Sequence, residues 1–336
     1  MKQLLLHTLT FISVFASAQN TTRFSQLNFA QGVNNPSAIA IDGRIMFDMI
    51  YRGQWAGFEG APSTFALNGQ YEIRPDMAAG VNFSYDQVGI NYTTSFAGQY
   101  SYRLRFTGNR FLGFGVGVGL DNVVNNLSGS NLNEQGDAAF SESYSKVFFN
   151  GGFGLIYNAP KWYIGASIPR LFQLTDKGPD RGFQPPRWHY YLSTGFYFTN
   201  KRGNFTFNPH IQIKGTINAP LQGDLILRNT FVNRFSLVVG YRSENSIIAG
   251  FDILLAGYAR VGYSFNYDVG KLARIKGMTN EIYIGIALPY HHDRESSTNR
   301  RYISRSGGFK SDYRKDSRRK HFNRGRRWGR KQRYRR

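Results

Sequence analysis

The chain of 336 residues contains no cysteine. A membrane barrel needs no disulfides and neither does a cytosolic protein, so this absence leaves the compartment open. It does exclude a lipoprotein, because no cysteine follows the N-terminal leader. Long apolar runs are also missing. Beyond the first 18 residues nothing approaches the ~20 apolar residues of a membrane helix, so any crossing of a bilayer is made by strands. The mean hydropathy of −0.41 gives no sign of a membrane protein. Barrels escape that index, since lumen residues cancel the lipid-facing ones. Catalytic signals are lacking too. The six histidines show no metal-ligand spacing, and no nucleophile motif is visible. The one suggestive group, His291-His292-Asp293, reads as a solvated junction before the tail. No enzyme activity, metal or cofactor is expected.

Residues 1–18 have the three parts of a secretory signal: Lys2, an apolar stretch over 4–15, and Ala16-Ser17-Ala18 before Gln19. The apolar part is too short for an anchor helix. The formal charge of +21 is lopsided, because residues 291–336 hold 18 Lys/Arg against 4 Asp/Glu. This tail is poor in aliphatics and reads as disordered.

Between the ends the dominant signal is a period of two. Ile247, Ala249, Phe251, Ile253 and Leu255 alternate with Ile248, Gly250, Asp252 and Leu254. Val261, Tyr263, Phe265 and Tyr267 oppose Arg260, Gly262, Ser264, Asn266 and Asp268. An apolar outer face against a polar or glycine-rich inner face is the pattern of a transmembrane barrel strand. The alternation starts near residue 43 and recurs, clearest over 64–73, 81–86, 99–106 and 113–120. It predicts about 14 strands, closing with one over 281–290. Short turns at 74–76, 107–110, 158–160, 200–203, 232–234 and 256–257 alternate with often longer connections at 53–63, 121–142, 170–186 and 269–279. That asymmetry, with an even count, implies an all-β, antiparallel, up-and-down transmembrane β-barrel whose two mature termini are both periplasmic. The expected division is a signal peptide over 1–18, a periplasmic or plug segment over 19–42, the barrel over 43–290, and the tail over 291–336.

Three internal features stand out. Gly113, Gly115, Gly117 and Gly119 form an unbroken file opposite Phe114, Val116, Val118 and Leu120. No helix follows, so this is no nucleotide loop. It reads as a thin wall against which a loop or plug packs. Asp86, Arg103, Arg105, Asp252, Arg260 and Asp268 read as the charges of a hydrated lumen. Trp55, Trp162 and Trp188 read as interfacial girdle residues.

Four pieces of the chain resemble a known family. Phe24-Ser25-Gln26 followed by Asn35-Pro36-Ser37-Ala38 is similar to its F-S-Q … N-P-A opening, with Ser37 in place of the usual alanine. Tyr51-Arg52-Gly53-Gln54-Trp55-Ala56-Gly57 resembles its Y-R-x-Q-W-x-G signature. Ala249-Gly250-Phe251, and Gly262-Tyr263-Ser264-Phe265-Asn266-Tyr267-Asp268 with Asn280-Glu281-Ile282, resemble its closing strands. The family is the PorP/SprF outer-membrane proteins of the type IX secretion system. The resemblance spans about residues 24–290. It implies an outer-membrane protein of a Gram-negative bacterium, serving protein secretion or gliding motility. The implied partners are outer-membrane lipid, a periplasmic peptidoglycan-associated lipoprotein with other components of the system, and a secreted adhesin or cargo. A rival reading with a similar strand number is a diffusion channel or fatty-acid-type transporter. Another is a surface adhesin acting through its loops.

The basic tail is outside the family pattern. Arg318, Arg319, Lys320, Arg326, Arg327, Arg335 and Arg336 are interspersed with aromatics, as in nucleic-acid arms. For an exported protein, anionic envelope polymers or an acidic protein face rank above nucleic acid.

Overall fold

The computed structural model describes residues 23–26, 31–41, 44–58, 60–126, 144–175, 182–184, 188–217, 219–243, 245–269 and 278–289. The leader and the tail lie outside the described residues. Strand order along the chain is β1 (Arg44–Gly53), β2 (Ser63–Arg74), β3 (Met77–Val88), β4 (Asn91–Phe106), β5 (Arg110–Asn125), β6 (Tyr144–Ala159) and β7 (Trp162–Thr175). Then come β8 (Gly182–Gln184), β9 (His189–Phe196), β10 (Phe198–Thr199), β11 (Phe205–Thr216) and β12 (Ala219–Phe231). The chain closes with β13 (Phe235–Arg242), β14 (Ser246–Leu255), β15 (Ala259–Asp268) and β16 (Thr279–Pro289).

Every neighbour pair is antiparallel, and β16 pairs both β15 and β1, which closes the sheet into a barrel. The wall has 14 strands, because β9 and β10 are two parts of one stave and β8 only extends the hairpin from β7. Closure removes the unpaired edges that a bilayer would not tolerate.

The faces follow the sequence alternation. In β13 residues alternate exposed and buried along its whole length, with Phe235, Leu237, Val239 and Tyr241 outward. In β15 Arg260, Gly262, Ser264 and Asn266 are buried while Val261, Phe265 and Tyr267 face out. The outer wall is consequently apolar: Val118 is 66% exposed and Phe149 57%. Such exposure would be a liability in water; in hydrocarbon it is the solvated state.

The two ends differ. At one end the connections are short, and three of them carry paired left-handed residues, Gly108-Asn109, Val232-Asn233 and Ala256-Gly257. Two consecutive positive-φ residues match the right-handed twist of the flanking strands, which is why tight hairpins use them. At the other end the β1–β2, β5–β6, β7–β9 and β15–β16 connections are long. Three connections there are as short as the turns opposite, between β3 and β4, β11 and β12, and β13 and β14. Arg44 pairs with Pro289, so both ends of the barrel chain emerge at the short-turn mouth.

Candidate functional site

The barrel lumen holds part of the chain itself. Residues 23–26 and 31–41 run inside it as a strap with only two short 3-10 turns, Gln31–Val33 and Pro36–Ala38. A chain without regular structure must satisfy its backbone groups elsewhere. Here the inward side chains of the wall do so. Gln99 Nε2 donates to Gly32 O at 2.8 Å, Ser167 Oγ to Asn34 O at 2.8 Å and Arg103 Nη2 to Ile39 O at 2.6 Å, while Ala40 N donates to Gln70 Oε1 at 2.6 Å.

The centre of the strap rests on the glycine file. Asn35 caps its 3-10 turn: Oδ1 accepts from Ser37 N at 3.0 Å and Ser37 Oγ at 2.6 Å, and Nδ2 donates to Leu155 O at 3.2 Å. Serine at position 37 therefore adds a bond within the turn that alanine would lack. Gly115 and Gly154 face each other across β5 and β6. A Cβ on Gly115 would sit 2.1 Å from Ser37 N, and one on Gly154 would sit 2.0 Å from Asn35 Oδ1. No rotation relieves a clash with backbone, so a side chain at Gly115 and the turn exclude each other, while one at Gly154 would have to displace the Asn35 amide.

The first piece of the strap meets a carboxylate. Phe24 packs with Ile50, Ala66 and Tyr283, a burial of the size that contributes about 1.5–3 kcal/mol. Ser25 N then donates to both oxygens of Glu281, at 3.0 and 2.7 Å, and Ser25 Oγ donates to Oε1 at 3.1 Å. Arg52 donates to the same Oε1 and Ser264 Oγ reaches Oε2 at 3.4 Å. Asn266 lies 2.9 Å from Ser25 Oγ, and with its amide oxygen turned to the arginines it accepts from Arg52 Nη1 at 3.0 Å and Arg242 Nη1 at 3.3 Å. Next to this cluster Asp224 binds Arg23 of the strap at 2.9 Å and Arg242 of the wall at 3.0 and 3.2 Å. Each carboxylate thus bridges strap and wall. A buried carboxylate is tolerable only with such multiple partners.

Further along, Asp252 holds Arg228 at 2.6 Å and also Arg260. Tyr163 accepts from Gln31 at 2.5 Å and lies 2.5 Å from His210 Nδ1. A gap of about 10 Å³ among Gln31, Asn34, Ser167, His210 and neighbouring side chains leaves room for no more than one water.

Of the residues singled out in the sequence, Ser25, Arg52 and Glu281 meet directly, although they lie in separate motifs. Pro36 sits on the glycine file, and Asn35 lies against Gly154 and Gly165 beside it. Gln26 is fully buried beside Gly262. Tyr51 faces outward, as does Tyr263, whose hydroxyl donates to Asn280 at 2.6 Å. Gln54 N closes the first loop on Pro62 O at 2.8 Å, and Trp55 stands at φ 51° in that loop. Trp55 thus occupies a loop bend, whereas Trp162 and Trp188 are exposed near opposite ends of the wall. Asp268 accepts from Ser246. Arg103, Asp252 and Arg260 lie in the lumen, but Arg105 does not. It is exposed at the rim with Nε 2.9 Å from Pro75 O, because β4 ends one residue later and no wall remains to enclose it. Arg318, Arg319, Lys320, Arg326, Arg327, Arg335 and Arg336 lie outside the described residues. Asp224, Asp48, Glu72, Arg228 and Arg242 were not singled out as lumen charges. Their inward parity, two residues apart on strands with apolar alternates, is the signal that finds them.

Because the chain lacks cysteine, a single one at position 37 reports on the strap. Ser37→Cys is expected to resist maleimide in the folded barrel, and adding Gly115→Val should speed labelling on the order of tenfold or more by evicting the turn. Equal rates would show that the strap does not depend on the glycine pair.

Residues 16–286 match the profile of the family described as type IX secretion system membrane protein PorP/SprF. Among solved structures, the CymD monoaromatic hydrocarbon channel is similar at 12% identity and a TM-score of 0.50, over 78% of this chain and 94% of that one. The outer membrane protein Omp33 of Acinetobacter baumannii aligns at 8% identity and a TM-score of 0.42, over 74% of this chain and 100% of its own. Outer membrane phospholipase A from Escherichia coli gives 10% and 0.37, over 76% and 99%. At these identities the likeness is one of barrel fold alone. No protein of curated function matches the sequence.

Proposed function

The chain belongs to the PorP/SprF family of type IX secretion system membrane proteins, and from that premise we propose that it is a non-enzymatic scaffold of the outer membrane and not a conduit. The observation that carries this reading is the strap. A lumen crossed by a chain tied to Glu281, Asp224, Arg103 and the glycine pair is built to stay filled. Channels need groups that bind weakly and leave a path; here Glu281, Asp224 and Arg103 of the wall are engaged by the strap.

In this reading the barrel fixes other components of the secretion system at its short-turn face and offers its long loops to secreted cargo or an adhesin. The longer connections at one end favour placing that end outside the cell and both chain ends in the periplasm. There the barrel works with a peptidoglycan-associated lipoprotein, and the basic segment 291–336 serves as a tether for an acidic partner.

Affinity isolation from native membranes tests this. The full chain is expected to bring down a periplasmic lipoprotein and other secretion components. A chain truncated after residue 290 is expected to assemble as a barrel, with fewer partners retained and less secretion. Recovery of no secretion component would remove the scaffold reading. Full partner recovery by the truncated chain would remove only the tether.

A further inference from the structure

We infer that the short-turn rim of the barrel is itself a docking surface, and that its occupant is an acidic protein face. The inference deepens the scaffold reading and rests on it for the identity of the system served.

The rim is charged in a way the rest of the described surface is not. Arg74, Arg105, Arg110, Lys161, Lys201, Arg202 and Arg234 are all exposed there, on five of the six short hairpins. The described carboxylate among them is Asp76, 3.6 Å from Arg74. Arg110, Lys161, Lys201, Arg202 and Arg234 have no ion-pair partner among the described residues. At the opposite end the connections over 54–62, 126–143, 176–188, 243–245 and 269–278 carry seven Asp/Glu and six Lys/Arg by sequence. One mouth is therefore strongly basic and the other close to neutral.

Part of this rim is braced. Asn200 Oδ1 accepts from Asn204 N at 3.1 Å and Phe205 N at 3.3 Å, which holds Lys201 and Arg202 at the tip of their turn. The adjacent turn is tied to it twice, by Val232 N to Asn204 O at 2.6 Å and Asn233 Nδ2 to Gly203 O at 3.2 Å. Three cations thus stand on two joined turns with no acid paired to them among the described residues. Val232 also takes a left-handed backbone, φ 49°, which a β-branched residue adopts only at a cost. Holding like charges together on a stiff platform is unfavourable in isolation and favourable once an anionic surface arrives.

Lipid headgroups are the competing anion. Arg105 and Arg234 share strand parity with the lumen residues Arg103 and Ser236, so they border the mouth, and of the seven only Arg110 takes the outward parity at a strand end. Lys161, Lys201 and Arg202 sit on turn tips beyond the strands. A lipid-binding ring would place its cations on the outward parity near strand ends. A face that presses against the mouth is what this distribution fits. The basic segment after Pro289 leaves from the same end and adds the same sign of charge.

The test uses the full chain in neutral detergent and a synthetic poly-glutamate peptide bearing a photoreactive end. Wild type is compared with a variant carrying Lys161→Glu, Lys201→Glu, Arg202→Glu and Arg234→Glu, and with the corresponding glutamine variant should the first fail to assemble. Heat-modifiable mobility reports assembly. Cross-links are expected on the turns over 105–110, 160–162, 200–204 and 232–234. Peptide affinity should fall about tenfold or more in the variant at low salt, and the difference should shrink as salt rises. Cross-links confined to 291–336, or an unchanged affinity, would overturn the inference. So would a variant whose only change is a lost preference for phosphatidylglycerol over phosphatidylcholine nanodiscs. In the native host, the variant should secrete poorly where the gene deletion abolishes type IX secretion. Full secretion by the variant in that background removes the rim, whereas a deletion that leaves secretion intact removes the scaffold reading itself.

Discussion

Glu281→Ala is expected to lower the stability of the barrel by about 3–5 kcal/mol, the range for deleting one partner of a buried ion pair. Glu281 is fully buried and accepts from the Ser25 backbone, the Ser25 hydroxyl and Arg52. Without it the Arg52 guanidinium keeps its burial and loses its carboxylate, and the Ser25 N–H loses its acceptor. The strap is therefore expected to loosen before the wall does. Limited proteolysis should cut within 23–41 at temperatures where the barrel still migrates as a folded band. Glu281→Gln, which keeps the shape and an acceptor oxygen, should fall between wild type and alanine. A strap as protected in Glu281→Ala as in wild type would mean that the glycine pair and the apolar contacts of Phe24 hold it alone.

The second large effect is on the outer wall. Phe251 lies mid-strand in β14 and is 43% exposed on the lipid side. Phe251→Arg is expected to cost about 2–4 kcal/mol, and Leu255→Arg at the strand end only about 0–1 kcal/mol, because the cost of a lipid-facing charge falls toward the interface. Refolding into phospholipid vesicles from urea measures both. The neighbouring Asp252 faces the other way and is held by Arg228 and Arg260, so one step along the strand changes a charge from costly to structural. Equal penalties at 251 and 255 would contradict the assignment of the outer face to a bilayer.

Much of this architecture is legible in the sequence because a barrel strand has one simple requirement. Each residue faces either lipid or lumen, so the period of two in residues 246–268 translates directly into β14 and β15. Hairpin turns are legible for a similar reason, since the chain must punctuate each reversal. What was not legible is which lumen residues meet. Ser25 and Glu281 are 256 positions apart, and their contact follows from strand register around the whole barrel. Local pattern carries no such information. The glycine file signalled a close approach but did not specify its occupant, because its partner, Asn35-Pro36-Ser37, shows no period of its own. Arg105 shows the converse limit. Parity gives it the inward face of β4, yet it stands exposed at the rim, because parity does not tell where a wall ends.

The central claim, that this barrel is a filled scaffold, is tested most directly by single-channel recording in planar bilayers. The intact protein is expected to give no large steady current, and deletion of residues 21–42 is expected to raise conductance by removing the chain that lies along the lumen. Large steady currents from the intact protein, unchanged by that deletion, would contradict the account.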